Sequence, residues 1–524
     1  LSVLFPQRNY HDPEAAQFEL DHVVPAAGIR FVKYEPEPSY VGKTVADPIT
    51  DVSATLREIE PGRLVLSRRK GDPAPEPVAL VGPKPIGTDV LRDAVVEVAV
   101  AVADGSGHET AVTRLLDRIP PDIPEDLLGE DVEQLIDACL ELGDGVLPIQ
   151  GPPGTGKTYR AARMIVGALA SGLRVGVTAQ SHAAIQNVLR EVEDVAREWP
   201  FAFEGVYRGS GYESVHGYVE SKSGAKVNDE HRLIAGTAWL FASPSMRGSI
   251  DLLFVDEAGQ YSLANAVAAG TSAKGMVLLG DPQQLPQVTQ AEHPFGSGAS
   301  ALEHLLDGAD TIEDGHGVLL TETWRMHPEI TTWISERSYE GKLASKDDCA
   351  NRRIGSAGAL EGAGLRTMAV EHVGRNQYSP EEAAAIGAAC RELLADGTYT
   401  DHTGTERQLE PSDVMVVAPY NMAVDAIAAE VPDGVSVAAV DRFQAQEAPV
   451  VFYALTCSAG EDVPRGLDFL FDRNRMNVAI SRAQALAVLV HSPRLLEADC
   501  PTLEAMELLN GICRFVEVAE PIHR

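Results

Sequence analysis

Hydrophobic and polar positions divide this chain into an irregular N-terminal part and two blocks of repeated alternation. In the first block, apolar runs of strand length recur at 146–149, 174–178, 233–237, 252–255 and 276–279, and the segments between them carry helical apolar spacing. A second block repeats the pattern at 318–320, 414–418, 435–440, 450–455 and 485–490. Runs that are apolar throughout, rather than at every other position, belong to strands buried on both faces, so each block reads as a parallel sheet between layers of helix. Upstream, the runs 28–34, 54–59 and 63–67 are separated by Pro, Gly and Asp, which predicts a small β-barrel or sheet. Val90, Leu91, Ala94, Val95, Val98 and Val102 then fall at helical spacing, and 110–116 continues as a second connecting helix. An acidic stretch at 122–141 reads as a solvated helix face. The expected organisation is 1–85 for the N-terminal strands, 86–118 for a helical stalk, 119–316 for a first α/β domain and 317–524 for a second.

Composition adds bounds. A chain of 524 residues exceeds what one core organises and implies roughly three or four structural units. No apolar run reaches membrane-spanning length and the first ten residues lack a signal-peptide layout, so a cytoplasmic protein without a membrane partner is expected. The sequence begins at Leu1 rather than Met, which leaves a longer parent chain open. Six cysteines lie scattered without a Cys-x-x-Cys pair, favouring reduced thiols over disulfides or zinc. The formal charge of −34 runs against the usual basic footprint of a nucleic-acid binder. If such a partner exists, its non-specific affinity should be weak and strongly salt-dependent.

Chemistry concentrates in three stretches. IQGPPGTGKT at 149–158 fits the phosphate-loop pattern completely, between an apolar strand and a helical segment. Gly151, Pro152, Gly154, Thr155 and Gly156 would wrap backbone N–H groups around phosphate oxygens, Lys157 would reach the β- and γ-phosphates, and Thr158 would offer its hydroxyl to Mg²⁺. LLFVDEAGQ at 252–260 sets Asp256 and Glu257 at the end of a buried strand, Asp256 as a second Mg²⁺ ligand and Glu257 to orient or deprotonate an attacking water. GDPQQLP at 280–286 ends another strand, with Gln284 suited to sensing a γ-phosphate. ATP and Mg²⁺ are the expected ligands.

Together with TWRMHP at 323–328, VDRFQAQE at 440–447 and NRMNVAISRA at 474–483, these segments resemble the ordered motifs of superfamily 1 helicases over about residues 130–490. The resemblance is to the branch holding the nonsense-mediated-decay helicase and the replication helicase-nuclease. It is nearest to bacterial proteins in which such a helicase follows a RecB-like nuclease. It implies two tandem RecA-like parallel-sheet domains, with the N-terminal small β-barrel and helical stalk in front of them. Arg325 and Arg482 would neutralise charge on the transferring phosphoryl group, and Glu447 would accept a ribose hydroxyl. Trp324 and Tyr420 are candidates for stacking near the adenine, each with a place in the core as the alternative. Gln134 sits at the spacing of an adenine-reading glutamine within a weak surrounding motif.

The resemblance also implies a single-stranded nucleic-acid track over the tops of both domains, with Ser181, His182 and Thr237 in the first and Pro419, Tyr420 and Asn421 in the second. A helix-cap or solvent role for His182 stands as the alternative. DNA is favoured over RNA, 5′-to-3′ travel is implied by family alone, and a monomer is expected. Ala445 replaces a glycine and Ala423 a glutamine of the family pattern, which weakens the expectation for strand grip more than that for hydrolysis. No Asp…Glu-x-Lys arrangement supports cutting by these residues, so a nuclease would reside in a longer parent chain. A remodelling ATPase that separates no strands is the competing reading; a metabolic kinase is disfavoured because it has no use for a second domain of arginine motifs.

Overall fold

The computed structural model describes 44–46, 53–60, 63–67 and 87–522, except 106–108, 225, 288–292, 356–357 and 444–445. The chain forms two units, Leu1–Thr88 and Asp89–Arg524. In the first, Thr44–Ala46, Ser53–Glu60 and Arg63–Ser67 pair antiparallel in chain order. Two of the three strands expected from the sequence are among them; the run at 28–34, and with it any barrel closure, lies outside the described residues.

Two all-parallel sheets organise the second unit. The first contains β1 (Val146–Gln150), β2 (Val175–Ala179), β3 (Gly205–Tyr207), β4 (Val219–Ser221), β5 (Leu233–Ala235), β6 (Ile250–Asp256), β7 (Ala273–Gly280) and β8 (Val318–Leu319), in the order β8-β1-β7-β6-β2-β5-β3-β4. Its strands divide their side chains between two cores. Leu252, Phe254, Val277 and Leu279 pack on one face with α3 (Val132–Glu141), α4 (Lys157–Ala170) and α5 (His182–Glu198). Leu253, Val255, Met276 and Leu278 pack on the other with α1 (Asp89–Ala103), α2 (Ala111–Leu116) and the helix Leu263–Gly270. That strict alternation, both sides apolar, is why the strands read as unbroken hydrophobic runs. The two helices expected as a stalk thus also cover one face of the first sheet.

The second sheet contains β9 (Gly364–Ala369), β10 (Val414–Ala418), β11 (Ser436–Ala439), β12 (Ala448–Ala454), β13 (Ala483–His491) and β14 (Glu520–Pro521), in the order β11-β10-β12-β13-β9-β14. One core joins it to α6 (Pro328–Ser338), α7 (Pro380–Asp396), α8 (Asn421–Ala428), α9 (Arg473–Ile480) and α10 (Leu503–Val518), with Trp333 of α6 meeting Phe515 of α10 edge to face at 5.2 Å. No helix among the described residues is long and apolar enough to cross a membrane.

One sequence expectation needs correcting. The apolar run at 318–320 is not the opening strand of the second sheet: Val318 and Leu319 pair with Ile149 and Gln150 of β1. Periodicity identifies a strand but not its neighbour, and here the nearest open edge belongs to the first sheet. Hidden from the sequence was β9, because Arg366 and Thr367 interrupt its apolar pattern. The Arg366 guanidinium is buried, donating to the carbonyls of Ala363 and Glu361 at 3.0 and 2.8 Å and pairing with Glu520 at 2.9 Å.

Candidate nucleotide-binding seam

The loop between β1 and α4 is shaped by glycine chemistry. Gly154 and Gly156 have φ of +75° and +78°, a region that costs any side-chain-bearing residue strain. The N–H of Gly151 donates to Gly280 O on β7 at 2.8 Å, and Thr155 Oγ1 to Pro152 O at 2.8 Å, closing the loop on itself. Gly156 caps α4, leaving the first N–H groups of a 14-residue helix directed at the loop, an arrangement that favours anions. Lys157 Nζ donates to Gly151 O at 2.5 Å. Among the described residues the hydroxyl of Thr158 makes no hydrogen bond, while the Arg160 guanidinium ties the loop carbonyl of Thr155 to that of Glu130.

Two strand ends converge beside this loop. A Cβ on Gly280 would lie 2.5 Å from Gly259 N and 2.6 Å from Ala258 N, so only glycine lets the ends of β6 and β7 approach this closely. Asp256 closes β6 and is buried; Glu257 follows with φ +54°, a left-handed conformation uncommon outside glycine. Burial, reinforced by the neighbouring Glu257 carboxylate, pushes the Asp256 carboxyl up to about 7 against the opposing pull of Lys157. Asp281, at the end of β7, accepts from Gln284 Nε2 at 2.8 Å on Oδ2 and from Gln283 N at 3.1 Å on Oδ1.

The second domain reaches into this region from three directions. Thr323, fully buried, donates its hydroxyl to Pro153 O at 2.8 Å, and Trp324 N donates to Gly154 O at 3.0 Å. A Cβ on Gly154 would stand 2.5 Å from both Thr323 Oγ1 and Arg325 Cβ; the loop glycine is also the point where the other domain enters. Arg325 bridges the Glu447 carboxylate and, at 3.2 Å, the carbonyl of Ser481. Arg482, buried, donates to Val478 O and Gln446 O, each at 3.2 Å. Burial and then the charge of Arg325 lower its pKa to about 10, with Glu257 and Glu447 opposing. It therefore stays charged at neutral pH. Burial raises the Glu447 carboxyl, but Arg325 and the amide of Gln484, 2.8 Å away, outweigh that and hold it below the usual range. Lys157, Asp256, Glu257, Arg325, Glu447 and Arg482 form one interacting charge set drawn from both domains.

A buried relay not foreseen from the sequence crosses the same seam. Tyr339 OH donates to Asp281 Oδ2 at 2.7 Å, the oxygen Gln284 also uses. Asn477 Nδ2 lies 2.9 Å from Tyr339 OH and 2.7 Å from Gln283 O, and Asn474 Nδ2 donates to Pro282 O at 2.9 Å. Asn477 lies within a quoted motif, which was the available signal; Tyr339 has none.

The remaining expected residues fall in varied settings. Gln134, on α3, gives its amide to Asp126 O at 2.8 Å. Trp324 is 53% exposed with Lys346 Nζ 5.1 Å above its ring, so it offers a face beside the loop. Tyr420 instead packs in the second core with its ring 5.6 Å from that of Phe469; the core alternative holds for it rather than adenine stacking. Ser181 caps α5 by accepting from Ala184 N at 3.1 Å, and His182 Nδ1 lies 2.6 Å from Tyr207 OH. Half-buried Thr237 starts the short helix Ala238–Phe241, while Pro419 is half-buried and Asn421 exposed at the start of α8. The position of Ala445 lies outside the described residues.

Comparison with known proteins follows this division. One family described as an AAA domain matches residues 128–303 and another described as an AAA domain matches 298–494. The chicken (Gallus gallus) DNA replication ATP-dependent helicase/nuclease DNA2 is 25% identical over 365 residues, 65% of this chain and 34% of that protein. The zebrafish (Danio rerio) putative helicase mov-10-B.1 is 26% identical over 292 residues, 48% of this chain and 28% of that one. Among solved structures, that of the PRRSV helicase aligns over 91% of this chain and 80% of its own, with TM-score 0.36 and 14% identity. The chain spans about a third of the length of the curated relatives it matches. Over residues 128–494 the chain is thus similar to two AAA-domain families, and it shares about a quarter of its aligned residues with the helicases it matches.

Proposed function

We propose that this chain hydrolyses ATP at the seam between its two parallel-sheet domains and uses the cycle to move along single-stranded nucleic acid and part duplexes. The observation that carries this reading is the charge set spanning the seam. Arg325 and Arg482 come from the second domain and interact with Glu447 and with Glu257 of the first, beside the phosphate loop. Backbone N–H groups of 151–156 and the start of α4 would bind the β- and γ-phosphates with Lys157, and Trp324 would take the adenine, with Gln134 a further contact and Glu447 the ribose acceptor. The Thr158 hydroxyl and Asp256 carboxylate, a hard oxygen pair, would hold Mg²⁺, which when bound neutralises phosphate charge. Glu257 orients the attacking water and accepts its proton; Gln284 reports the γ-phosphate; the two arginines stabilise the charge that develops on it.

Ser181, His182, Thr237, Pro419, Tyr420 and Asn421 are the proposed strand contacts, through hydroxyl, amide and backbone groups that need little net positive charge. DNA is the favoured strand and 5′-to-3′ the favoured direction, with the chain acting as a monomer in the cytoplasm. The DNA replication helicase/nuclease among the relatives supports DNA. In a longer parent, an attached RecB-like nuclease would supply cutting. ATPase rates with single-stranded DNA and RNA, followed by strand displacement on duplexes with overhangs of each polarity, test the proposal. Stimulation by DNA with displacement from a 5′ overhang is expected. Stimulation without displacement on either overhang would convert the reading to a remodelling ATPase, and no stimulation by either polymer would overturn it.

A further inference from the structure

Between β12 and α9 the chain runs through a segment that no motif covers. Gly466, at φ +81°, turns it into the short helix Leu467–Leu470, which presents Phe469 half-exposed. Three side chains converge on that ring. The guanidinium carbon of Arg465 stands 4.0 Å from its centroid, that of Arg475 4.5 Å, and the Tyr420 ring 5.6 Å at an angle of 34°. Cation–π contact orders both arginines before any ligand arrives.

The charge around this ring is unusual for so acidic a chain. Several exposed or half-buried arginines elsewhere in the second domain are matched, Arg375 with Glu381 at 2.6 Å and Arg407 with Asp413 at 2.5 Å, whereas Arg391 meets only the carbonyl of Glu430. Here Arg465 and the nearby Arg442, both exposed, have no carboxylate within ion-pair distance among the described residues, and Arg475 has only Asp441, at 3.9 Å. Of the segment's own acids, Glu461 is engaged by Arg494 at 3.3 Å, Asp472 accepts from the backbone N–H of Arg475 at 2.7 Å and feels its charge, and Asp462 and Asp468 pair with none of the three. Three guanidiniums with spare donors, in a protein of charge −34, make a local anion-binding surface. It adjoins Tyr420, already proposed to meet the strand, through Phe469, and reaches Asp441 through Arg475.

We propose that Arg465 and Arg475, stacked on Phe469, together with exposed Arg442 next to Asp441, form a clamp for the phosphate backbone of single-stranded nucleic acid. This rests on the translocase reading and extends it to Arg465 and Phe469, which lie outside the helicase motifs. With guanidinium groups over its ring, Phe469 orders the clamp rather than stacking bases, so the contact reads phosphates and is indifferent to sequence.

The test is equilibrium binding of a fluorescent oligothymidylate to the full chain across a NaCl series, with wild type, Arg465→Ala, Arg442→Ala/Arg465→Ala, Arg465→Lys and, as control, Arg514→Ala, whose guanidinium pairs with Glu517 on α10. Each lost phosphate contact should lower the slope of log K against log salt by about 0.7, so the double variant should lose about 1.4. Arg465→Lys should keep the wild-type slope, as should Arg514→Ala. Slopes equal to wild type in both alanine variants, with wild type binding, overturn the clamp alone. A drop in Arg514→Ala as large as that in Arg465→Ala also overturns it, by showing a general charge effect. Failure of wild type to bind the oligomer overturns the translocase reading and the clamp together.

Discussion

The two halves of the seam are made in different ways. The first-domain half comes from two short contiguous stretches: a strand, a loop with two left-handed glycines and a helix start within 146–170, and the acidic end of β6 at Asp256 and Glu257. The second-domain half gathers Thr323, Trp324 and Arg325 from before α6, Glu447 from the start of β12 and Arg482 from just after α9, held by hydrogen bonds to each other and to the loop. A local backbone motif binds phosphate by conformation. A gathered set acts only while its domain is correctly seated, which suits groups meant to engage at one stage of a cycle.

Breaking the two halves should give different signatures. Lys157→Ala or Glu257→Gln should abolish ATP turnover, with Glu257→Gln still binding nucleotide; retained hydrolysis in either would reverse the role assigned to that half. Arg325→Ala and Arg482→Ala should each cut kcat by about 10³ with a small change in nucleotide affinity, the mark of groups used in the transition state rather than in binding. Equal losses in KM and none in kcat would place them with the loop instead.

A subtler break lies in the relay. Tyr339→Phe removes one hydroxyl from a fully buried site and leaves Asp281 and Asn477 short of a partner, at about 1–3 kcal/mol in denaturant unfolding. If the relay links the halves, kcat should also fall several-fold while ATP affinity holds; a stability loss with unchanged kcat would leave it a packing feature.

The raised Asp256 carboxyl gives the comparison a pH axis. Below about 7 it holds a proton, so Mg²⁺-nucleotide affinity should weaken as pH falls through neutrality. Removing the like charge by Glu257→Gln should move that midpoint down, read by nucleotide binding rather than turnover. As a raised group, its contribution to fold stability is present below its unfolded-state pKa and is lost as pH rises through about 7, so protonation and metal capture pull in opposite directions. Smallest of all, Ser181→Ala should cost about 1 kcal/mol through the lost α5 cap. Any loss of strand affinity beyond what Thr at that position restores would separate binding from capping.

The same contrast explains what the sequence revealed. The phosphate loop and the acidic strand end are contiguous, so residue type and spacing carry them. Both sheets were readable as apolar runs, apart from β8, assigned to the wrong sheet, β9, whose buried Arg366 is held by carbonyls and by Glu520 that no pattern displays, and β3, β4 and β14, two or three residues each without a distinctive run. Arg325 and Arg482 were legible only through the ordered motif series. The ion pair of Glu447 with Arg325 and the hydroxyl of Tyr339 between two domains exist solely in three dimensions, and single-sequence reasoning had no purchase on them.

The short strand β8 sets the mechanics. It anchors the chain in the first sheet at Leu319, and by Thr323 the polypeptide is already bonded to the phosphate loop. The covalent crossing between the domains is thus a few residues long, about 3.5 Å each at full stretch, and passes directly over the loop. In the proposed motor, rotation of one domain on the other would have its fulcrum beside the phosphate loop, so a displacement of an ångström there would be multiplied by the lever arm across the width of a domain.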